Sequence, residues 1–500
     1  MKERIPRDKN LILLVGVTLL IGCVLRCWNI NQSFWWDEIW STMAYVKASS
    51  LWQVVSSLGY YFNNHIFYSL LARGSIKLLG ESEFTARLPA LVMGLLGIIM
   101  IFQFGKRFLG TPSGIIASIL LAVSAFHIDH SSEARGYSCL ALFAILSSFY
   151  FLKGLKVNEL KSWILYVIFT VLGFYSHVFM IAISISQFCA ALLFMIGEKW
   201  GSLSTGVNAK TLSNFLLSLF CAGIITILLY APIIPTFLEN MGKVQLVNVN
   251  RIPFILSLLN SMLPGIQTLA GIIIYSILFL SGIYFVFRKD LTLFLYLLVL
   301  SVLPFSLYLL INPMFVFERY FIFALPFILL IVSQGVVGLA ENFKGIYKNA
   351  LVFLPLLTLI YLQFPAINKM IHQDRQNYRE AVRYVESRIG DVEGALVFSI
   401  GYAGEYFRYY SPDISIPTPE TLNELSTIIQ GKKHIWCLIT AWLSDIRPYY
   451  EDKAIYSERP GQIEIYNYVK KNFVLKKSFS SRYPVKIYFS TFQHRDHGDE

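Results

Sequence analysis

Charge is scarce in this chain of 500 residues: 15% are Asp, Glu, Lys or Arg, and 55% are hydrophobic. Soluble domains are about 45–50% apolar. A mean hydropathy of +0.56 therefore excludes an ordinary soluble protein and indicates a polytopic membrane protein. Cysteine is scarce too. Five of the six cysteines (Cys23, Cys27, Cys139, Cys189 and Cys221) fall in apolar blocks and Cys437 stands alone in the tail, so the spacing supports neither a disulfide framework nor a zinc motif. No internal repeat is evident, and the tail has no glycine-rich phosphate loop and no paired nucleophile. The basic start "MKERIPRDKN" leads into an apolar run that lacks a small-residue cleavage site, so an uncleaved first span is expected rather than a signal peptide. Acid is rarer than base, 31 residues against 42, for a net charge of +11. Basic residues that orient membrane spans account for that excess, and no nucleic-acid partner is expected.

What is present is a series of apolar blocks of spanning or near-spanning length. They lie near 11–30, 88–104, 113–127, 137–152, 162–176, 178–197, 212–236, 266–287, 291–311, 319–340 and 350–365, predicting about eleven transmembrane helices. Several are short, which suggests broken or tilted helices. With sides alternated, one side receives the basic N-terminus, "GKR" at 105–107, Lys153, Lys156 and Lys161, "RKD" at 288–290 and "ENFKGIYKN". That side is expected to be cytoplasmic, as is the N-terminus. The other side holds the long loop of about 31–87, "HIDHSSEARGY", "YSH", the segment from Glu239 to Arg251, and "FERY". In the long loop, Phe67, Leu70, Leu71 and Leu78 fall at helical spacing with Arg73 and Lys77 on another face, the pattern of a helix lying in the membrane interface. Residues 1–365 thus read as a membrane domain. Residues 366–500 read as an external α/β domain with strands at "GALVFSI", "KHIWCLITAW" and "VKIYFSTF", and the last residues, "QHRDHGDE", read as frayed.

The polar residues worth attention lie on the second side. Asp37 and Glu38 sit side by side among Trp35, Trp36 and Trp40, just after the first span. Helical neighbours point about 100° apart, so one acid can aim at a site while the other orients it, binds a cation or faces water. The alternative is a pair of helix N-terminal charges with Ser33 as cap. His127, Asp129, His130, Glu133 and Arg135 fall within nine residues. The HxxH there suits a metal or a solvated loop with local ion pairs. Arg319 and Tyr320 stand at the mouth of a span, where an arginine either clamps a phosphate or snorkels. His177 lies on a tight turn between spans, a common place for a structural hydrogen-bonder.

These stretches, taken in order, resemble a known family. "WWDE" after the first span, the run "HIFYSLLARGSIKLLGESEFTARLPALVMGLLGIIMIFQFGKRFLG", "SSEARGYSCLALF", "FYSHVFM", "ERYFIFALP" and "NYREAVRYV" resemble the polyprenol-phosphate-sugar-dependent glycosyltransferases of the GT-C fold. The resemblance is to the family 39 protein mannosyltransferase and aminoarabinose transferase group. "HIF" stands where members often show His-Pro-Pro, with His65 kept. The resemblance implies an integral-membrane glycosyltransferase that moves a sugar from a polyprenyl-phosphate donor to an acceptor at the outer face, usually with inversion. It implies Asp37 as base, with Glu38 and Glu133 as secondary acids for acceptor or metal. Arg135 and Arg319, with Tyr320, are the implied donor-phosphate contacts, and His65, His127 and His177 shape the pocket. No required metal is expected: a divalent cation has carboxylates to meet but no closed set of ligands. Besides the donor, the implied partners are membrane lipids and an acceptor that is a protein, a lipid or a glycan. A secondary transporter and a membrane assembly or sensor protein are the competing readings. The enzyme reading needs Asp37, Glu133 and Arg319 around one outer cavity.

Overall fold

The computed structural model describes residues 5–57, 64–199, 207–241, 250–310, 316–389, 394–400, 403–414, 416–440, 460–479, 481–482 and 485–491. The terminal "QHRDHGDE" lies outside the described residues, as does most of the segment from Glu239 to Arg251. The chain divides into two compact units. The first comprises Met1–Ile30, Ala44–Leu246 and Phe254–Met370; the second comprises Asn31–Met43, Val247–Pro253 and Ile371–Glu500.

Among the described residues of the first unit, nine helices are long and apolar enough to cross a membrane. They are Lys9–Cys27, Glu83–Phe108, Tyr137–Val157, Met180–Glu198, Ala209–Tyr230, Leu269–Lys289, Leu291–Leu309, Glu318–Ala340 and Gly345–His372. Two of the eleven expected blocks fall short of a single span. Leu160–Ser176 is a shorter apolar helix, and the block at 113–127 is a pair, Thr111–Val123 and Ala125–Ser131, bent by 62°. Burial divides the helices by role. Tyr137–Val157 and Glu318–Ala340 are 83% and 89% buried over their apolar windows and form the middle of the bundle, whereas Lys9–Cys27 and Gly345–His372 are 17% buried and turn their leucines and isoleucines outward. Outward apolar surface on that scale is stable only in lipid.

Lipid offers helices no hydrophobic gain from associating, so close backbone approach and polar contacts hold them together. A Cβ on Gly335 would sit 2.0 Å from the Leu278 carbonyl oxygen, so glycine is what lets Leu325–Ala340 cross Leu269–Lys289 at backbone distance. In the centre, Ser147 Oγ pairs with Thr170 Oγ1 at 2.9 Å and accepts from Gln187 Nε2 at 3.1 Å, while Ser148 Oγ pairs with the Tyr296 hydroxyl at 2.6 Å.

The bend at Ser124 releases backbone groups that other helices satisfy. Arg26, buried in the first span, donates from Nη1 to the Ala122 carbonyl at 2.9 Å and from Nη2 to the Leu121 carbonyl at 3.3 Å. Its Nε donates to Ser131 Oγ at 2.8 Å, and its Nη2 lies 2.6 Å from His127 Nδ1. The Ala125 N–H donates to Gln363 Oε1 at 2.9 Å.

The helix Ile66–Leu79 corrects the expected facing. Ile66, Ser69, Ala72 and Arg73 are its buried side, and Arg73 Nη1 donates to the Val46 carbonyl at 2.9 Å and to the Ala48 carbonyl. Of the apolar stripe, Phe67 and Leu70 also pack inward, Phe67 edge-on to Phe143 at 5.4 Å, while Leu78 is exposed. Two of the basic segments assigned to one side meet in space: Lys156 pairs with Asp290, and Lys289 donates to the Leu109 carbonyl just beyond "GKR".

The second unit carries a four-stranded sheet in the order β1-β2-β4-β3, from β1 (Ala395–Ser399), β2 (His434–Thr440), β3 (Val474–Phe479) and β4 (Val485–Thr491). The β1–β2 pair is parallel; β4 runs antiparallel to both β2 and β3. One sheet face packs Phe398, Ile435, Cys437, Ile439 and Tyr488 against Leu425, Ile465 and Val469 of the helices Leu422–Ile429 and Pro460–Asn472. Burial raises the Cys437 thiol well above its ordinary pKa. On the other face Tyr384 of the helix Tyr378–Ile389 meets Trp436 edge-on at 6.4 Å. The strand β3 was not among the expected strands. Its "VLKKSF" is an exposed edge, without the alternation that marks a half-buried strand.

Candidate active site

In the first unit, a cluster of rings and cations forms around Tyr137, the first residue of a central helix. The loop after Ser131 delivers Arg135, Gly136 and Tyr137 in succession. The 3₁₀ turn Glu318–Ala324 delivers Arg319 and Tyr320, and the end of Leu160–Ser176 delivers His177. Arg319 Nε donates to the Tyr137 hydroxyl oxygen at 2.8 Å, and Arg135 Nη2 donates to the same oxygen at 3.4 Å. Both guanidinium carbons also lie near the Tyr137 ring, at 5.6 Å for Arg319 and 5.7 Å for Arg135, and Arg319 sits 4.3 Å from the Phe317 ring centroid. Tyr137, Arg135 and Arg319 are buried.

Two histidines complete the cluster. The His65 ring stands 4.9 Å from Tyr137 and 5.0 Å from His177; His177 is 4.9 Å from Tyr320, which stacks on Tyr137 at 6.2 Å. A Cβ on Gly136 would come within 2.9 Å of the His65 Cβ and 3.0 Å of its Nδ1, so only glycine between Arg135 and Tyr137 lets His65 close in. His65 Nδ1 is held by the Ser176 carbonyl at 2.9 Å, which makes Nδ1 the protonated nitrogen. His177 Nδ1 accepts from the Phe179 N–H at 3.1 Å. Burial, then the charge of the nearby Arg135, lowers both rings: His65 falls well below its ordinary range and His177 to about 3. Both are neutral at physiological pH. They can hydrogen-bond, and they leave the positive charge to the arginines.

Glu133 is fully buried with His130 Nδ1 at 2.7 Å from its Oε1, and the His130 ring lies 5.4 Å from Tyr137. His127 belongs to a different network, the Arg26 clamp at the helix break. Among the described residues no three His, Cys, Asp or Glu side chains gather as a metal-binding set.

In the second unit, Asp37 and Glu38 lie on the short helix Trp36–Ser41, which runs into a π-helical turn at Thr42–Val46. Ser33 is not its cap: Ser33 Oγ accepts from the Arg379 N–H at 3.2 Å, and Glu38 Oε2 reaches back to the Trp35 N–H at 3.2 Å. The residues after Met370 hold this segment. The Phe34 N–H donates to the Tyr410 hydroxyl at 2.7 Å, the Trp36 N–H to Gln376 Oε1 at 2.9 Å, and the Arg375 guanidinium lies 5.2 Å from the Trp35 ring. Both carboxylates are buried. Of the residues singled out in the sequence, the first unit gathers His65, Glu133, Arg135, His177, Arg319 and Tyr320 around Tyr137, which had not been singled out. The only mark of Tyr137 in the sequence is its place two residues after Arg135 at the start of a span.

Residues 64–230 match the family model described as dolichyl-phosphate-mannose-protein mannosyltransferase. That stretch contains His65, His127, Glu133, Arg135 and His177; Asp37, Glu38, Arg319 and Tyr320 lie outside it. Among solved structures, the chain is similar to ArnT from Cupriavidus metallidurans in the apo state, with 10% identity, a TM-score of 0.56, and 96% of this chain and 98% of that chain covered. The same ArnT bound to undecaprenyl phosphate gives 10% identity, a TM-score of 0.54, and coverage of 95% and 97%. The archaeal oligosaccharyltransferase AglB from Archaeoglobus fulgidus, in complex with an inhibitory peptide and a dolichol-phosphate, gives 11% identity, a TM-score of 0.57, and coverage of 86% and 69%. At these identities the likeness is one of fold. No curated protein sequence matches the chain.

Proposed function

We propose that the chain is a GT-C glycosyltransferase of the protein-mannosyltransferase and ArnT-like group, a reading supported by the family model over residues 64–230 and by the shared fold, and that it transfers a sugar from a polyprenyl-phosphate donor to an acceptor at the outer face of the membrane, with inversion. The acceptor hydroxyl attacks the anomeric carbon. The bond from that carbon to the phosphate oxygen breaks, its electron pair stays on the lipid phosphate, and the acceptor proton passes to a base. A phosphate is a competent leaving group, so the catalytic demand falls on the base and on cations that meet charge developing on the phosphate.

In this reading Asp37 is the base and Glu38 the acid that fixes its helix. Arg135 and Arg319, with Tyr320, take the donor phosphate, and neutral His65 and His177 offer hydrogen bonds beside it. Glu133 orients His130 against the ring cluster, and His127 braces the helix break. What supports the phosphate assignment is one observation: two buried arginines from distant parts of the chain converge on a single phenol oxygen. Two solved proteins of the same fold hold undecaprenyl phosphate and dolichol-phosphate, which makes a polyprenyl phosphate the donor class to test. The deciding experiment presents the full chain in lipid nanodiscs with a panel of polyprenyl-phosphate sugars, wild type beside Asp37→Asn. Sugar transfer by wild type alone is the expected result. Equal turnover by both proteins removes Asp37 as base, and no turnover with any donor removes the reading.

A further inference from the structure

We propose that Tyr137 is the positioning residue of the donor-phosphate grip: its phenol oxygen sets the spacing of Arg135 and Arg319 so that both address one lipid phosphate. This rests on the reading of the cluster as a phosphate site. Two guanidinium groups repel at the spacing a shared phosphate requires, and something must hold them there before the anion arrives. A phenol oxygen has two acceptor lone pairs. Here one is taken by Arg319 Nε at 2.8 Å and the other by Arg135 Nη2 at 3.4 Å.

The ring cannot turn to release them. His65 meets it at 4.9 Å, His130 at 5.4 Å and His177 at 5.6 Å, and Tyr320 stacks on it at 6.2 Å. Each neighbour is fixed in turn: His65 by the Ser176 carbonyl, His130 by Glu133, and His177 by the Phe179 N–H. Burial keeps His65 and His177 uncharged, so these two rings add no repulsion to the arginine pair. Phenylalanine would satisfy every ring contact and supply no acceptor, which makes Tyr137→Phe a clean removal of the proposed function.

The test uses the full chain in nanodiscs with undecaprenyl phosphate as probe. Thermal unfolding first establishes that the variants fold. Y137F is expected to weaken undecaprenyl-phosphate binding by about 10- to 100-fold. It is also expected to raise the donor KM by a similar factor while kcat at saturating donor stays within about threefold of wild type. In an Arg319→Ala background the same change is expected to have little further effect, because the oxygen then has no pair to space. Wild-type affinity in Y137F, or losses that simply multiply in the double variant, overturns the proposal while leaving the site reading intact. Failure of the wild type to bind undecaprenyl phosphate overturns both. If Y137F does not fold, replacing Tyr137 by p-aminophenylalanine keeps the ring and its shape with a poor acceptor. Weakened binding then supports the proposal, and wild-type binding overturns it.

Discussion

Glu38 spends one carboxylate oxygen on the Trp35 N–H at the start of its own helix, a bond that an amide oxygen can also make. Asp37, one residue earlier, is the acid that the proposed chemistry needs in its ionised form. The two should separate by substitution. Asp37→Asn is expected to lower kcat by a factor of about 10² to 10⁴ without weakening undecaprenyl-phosphate binding, whereas Glu38→Gln keeps most activity. Steady-state kinetics beside direct lipid binding checks both, and equal losses in the two variants would sink the division of roles. The neutral histidines make a second prediction. His177 is held at about 3 and His65 also well below its ordinary range, while both return to about 6.5 when the chain unfolds. Between those limits the unfolded chain binds more protons, so stability falls as pH drops through 6.5 toward 3. For His177 the loss from pH 6.5 to 5 is about 1.6 kcal/mol, and His65 adds to it in the same direction. Thermal unfolding scanned over that range should show the drop, and a His65→Gln, His177→Gln double variant should flatten it. The charged residues of the cluster were visible in the sequence because charge near an apolar run is rare. Tyr137 was not, since a tyrosine at the start of a span is ordinary and its importance lies in what reaches it from 182 residues away.

Hydropathy located the spanning elements because a lipid-facing helix must be apolar along its length, and no local detail changes that. It could not separate one span from two short helices at Ser124. The break leaves the block apolar, and the groups that make the break tolerable, Arg26 and Gln363, lie on other helices. The same limit hid the inward face of Ile66–Leu79. Arg73 read as a polar outer residue because its acceptors at Val46 and Ala48 precede it by more than twenty residues. A buried arginine with four partners on other helices is a strong constraint on an element, and its removal has a calculable consequence. Arg26→Met strands the Leu121 and Ala122 carbonyls in the bundle and should cost about 2–4 kcal/mol. Gln363→Leu, which strands one N–H, should cost less. Thermal unfolding in detergent ranks the two, and an Arg26→Met protein as stable as wild type would show that the break does not need the clamp.

Composition changes near residue 366, and the second compact unit takes up the chain again at Ile371. That the same unit takes in Asn31–Met43 could not be read from the sequence, because hydrogen bonds such as Phe34 N–H to the Tyr410 hydroxyl join residues 376 positions apart. At the scale of the whole chain the remaining question is which compartment each end of the bundle faces. Three of the loops assigned to the basic side meet, where Lys156 pairs with Asp290 and Lys289 caps the Leu109 carbonyl. The cluster around Tyr137 is built from the loops assigned to the opposite side. Short loops rich in Lys and Arg are retained in the cytoplasm, so the outer-face proposal expects the loops of the Tyr137 cluster, and separately the C-terminus, to lie outside. An alkaline-phosphatase reporter joined after Thr491 should therefore be active in a bacterial host, and one joined after Leu109 inactive. Reversed activities would turn the protein over in the membrane and remove the outer-face part of the proposal, while leaving the arginine–phenol grip to be tested on its own terms.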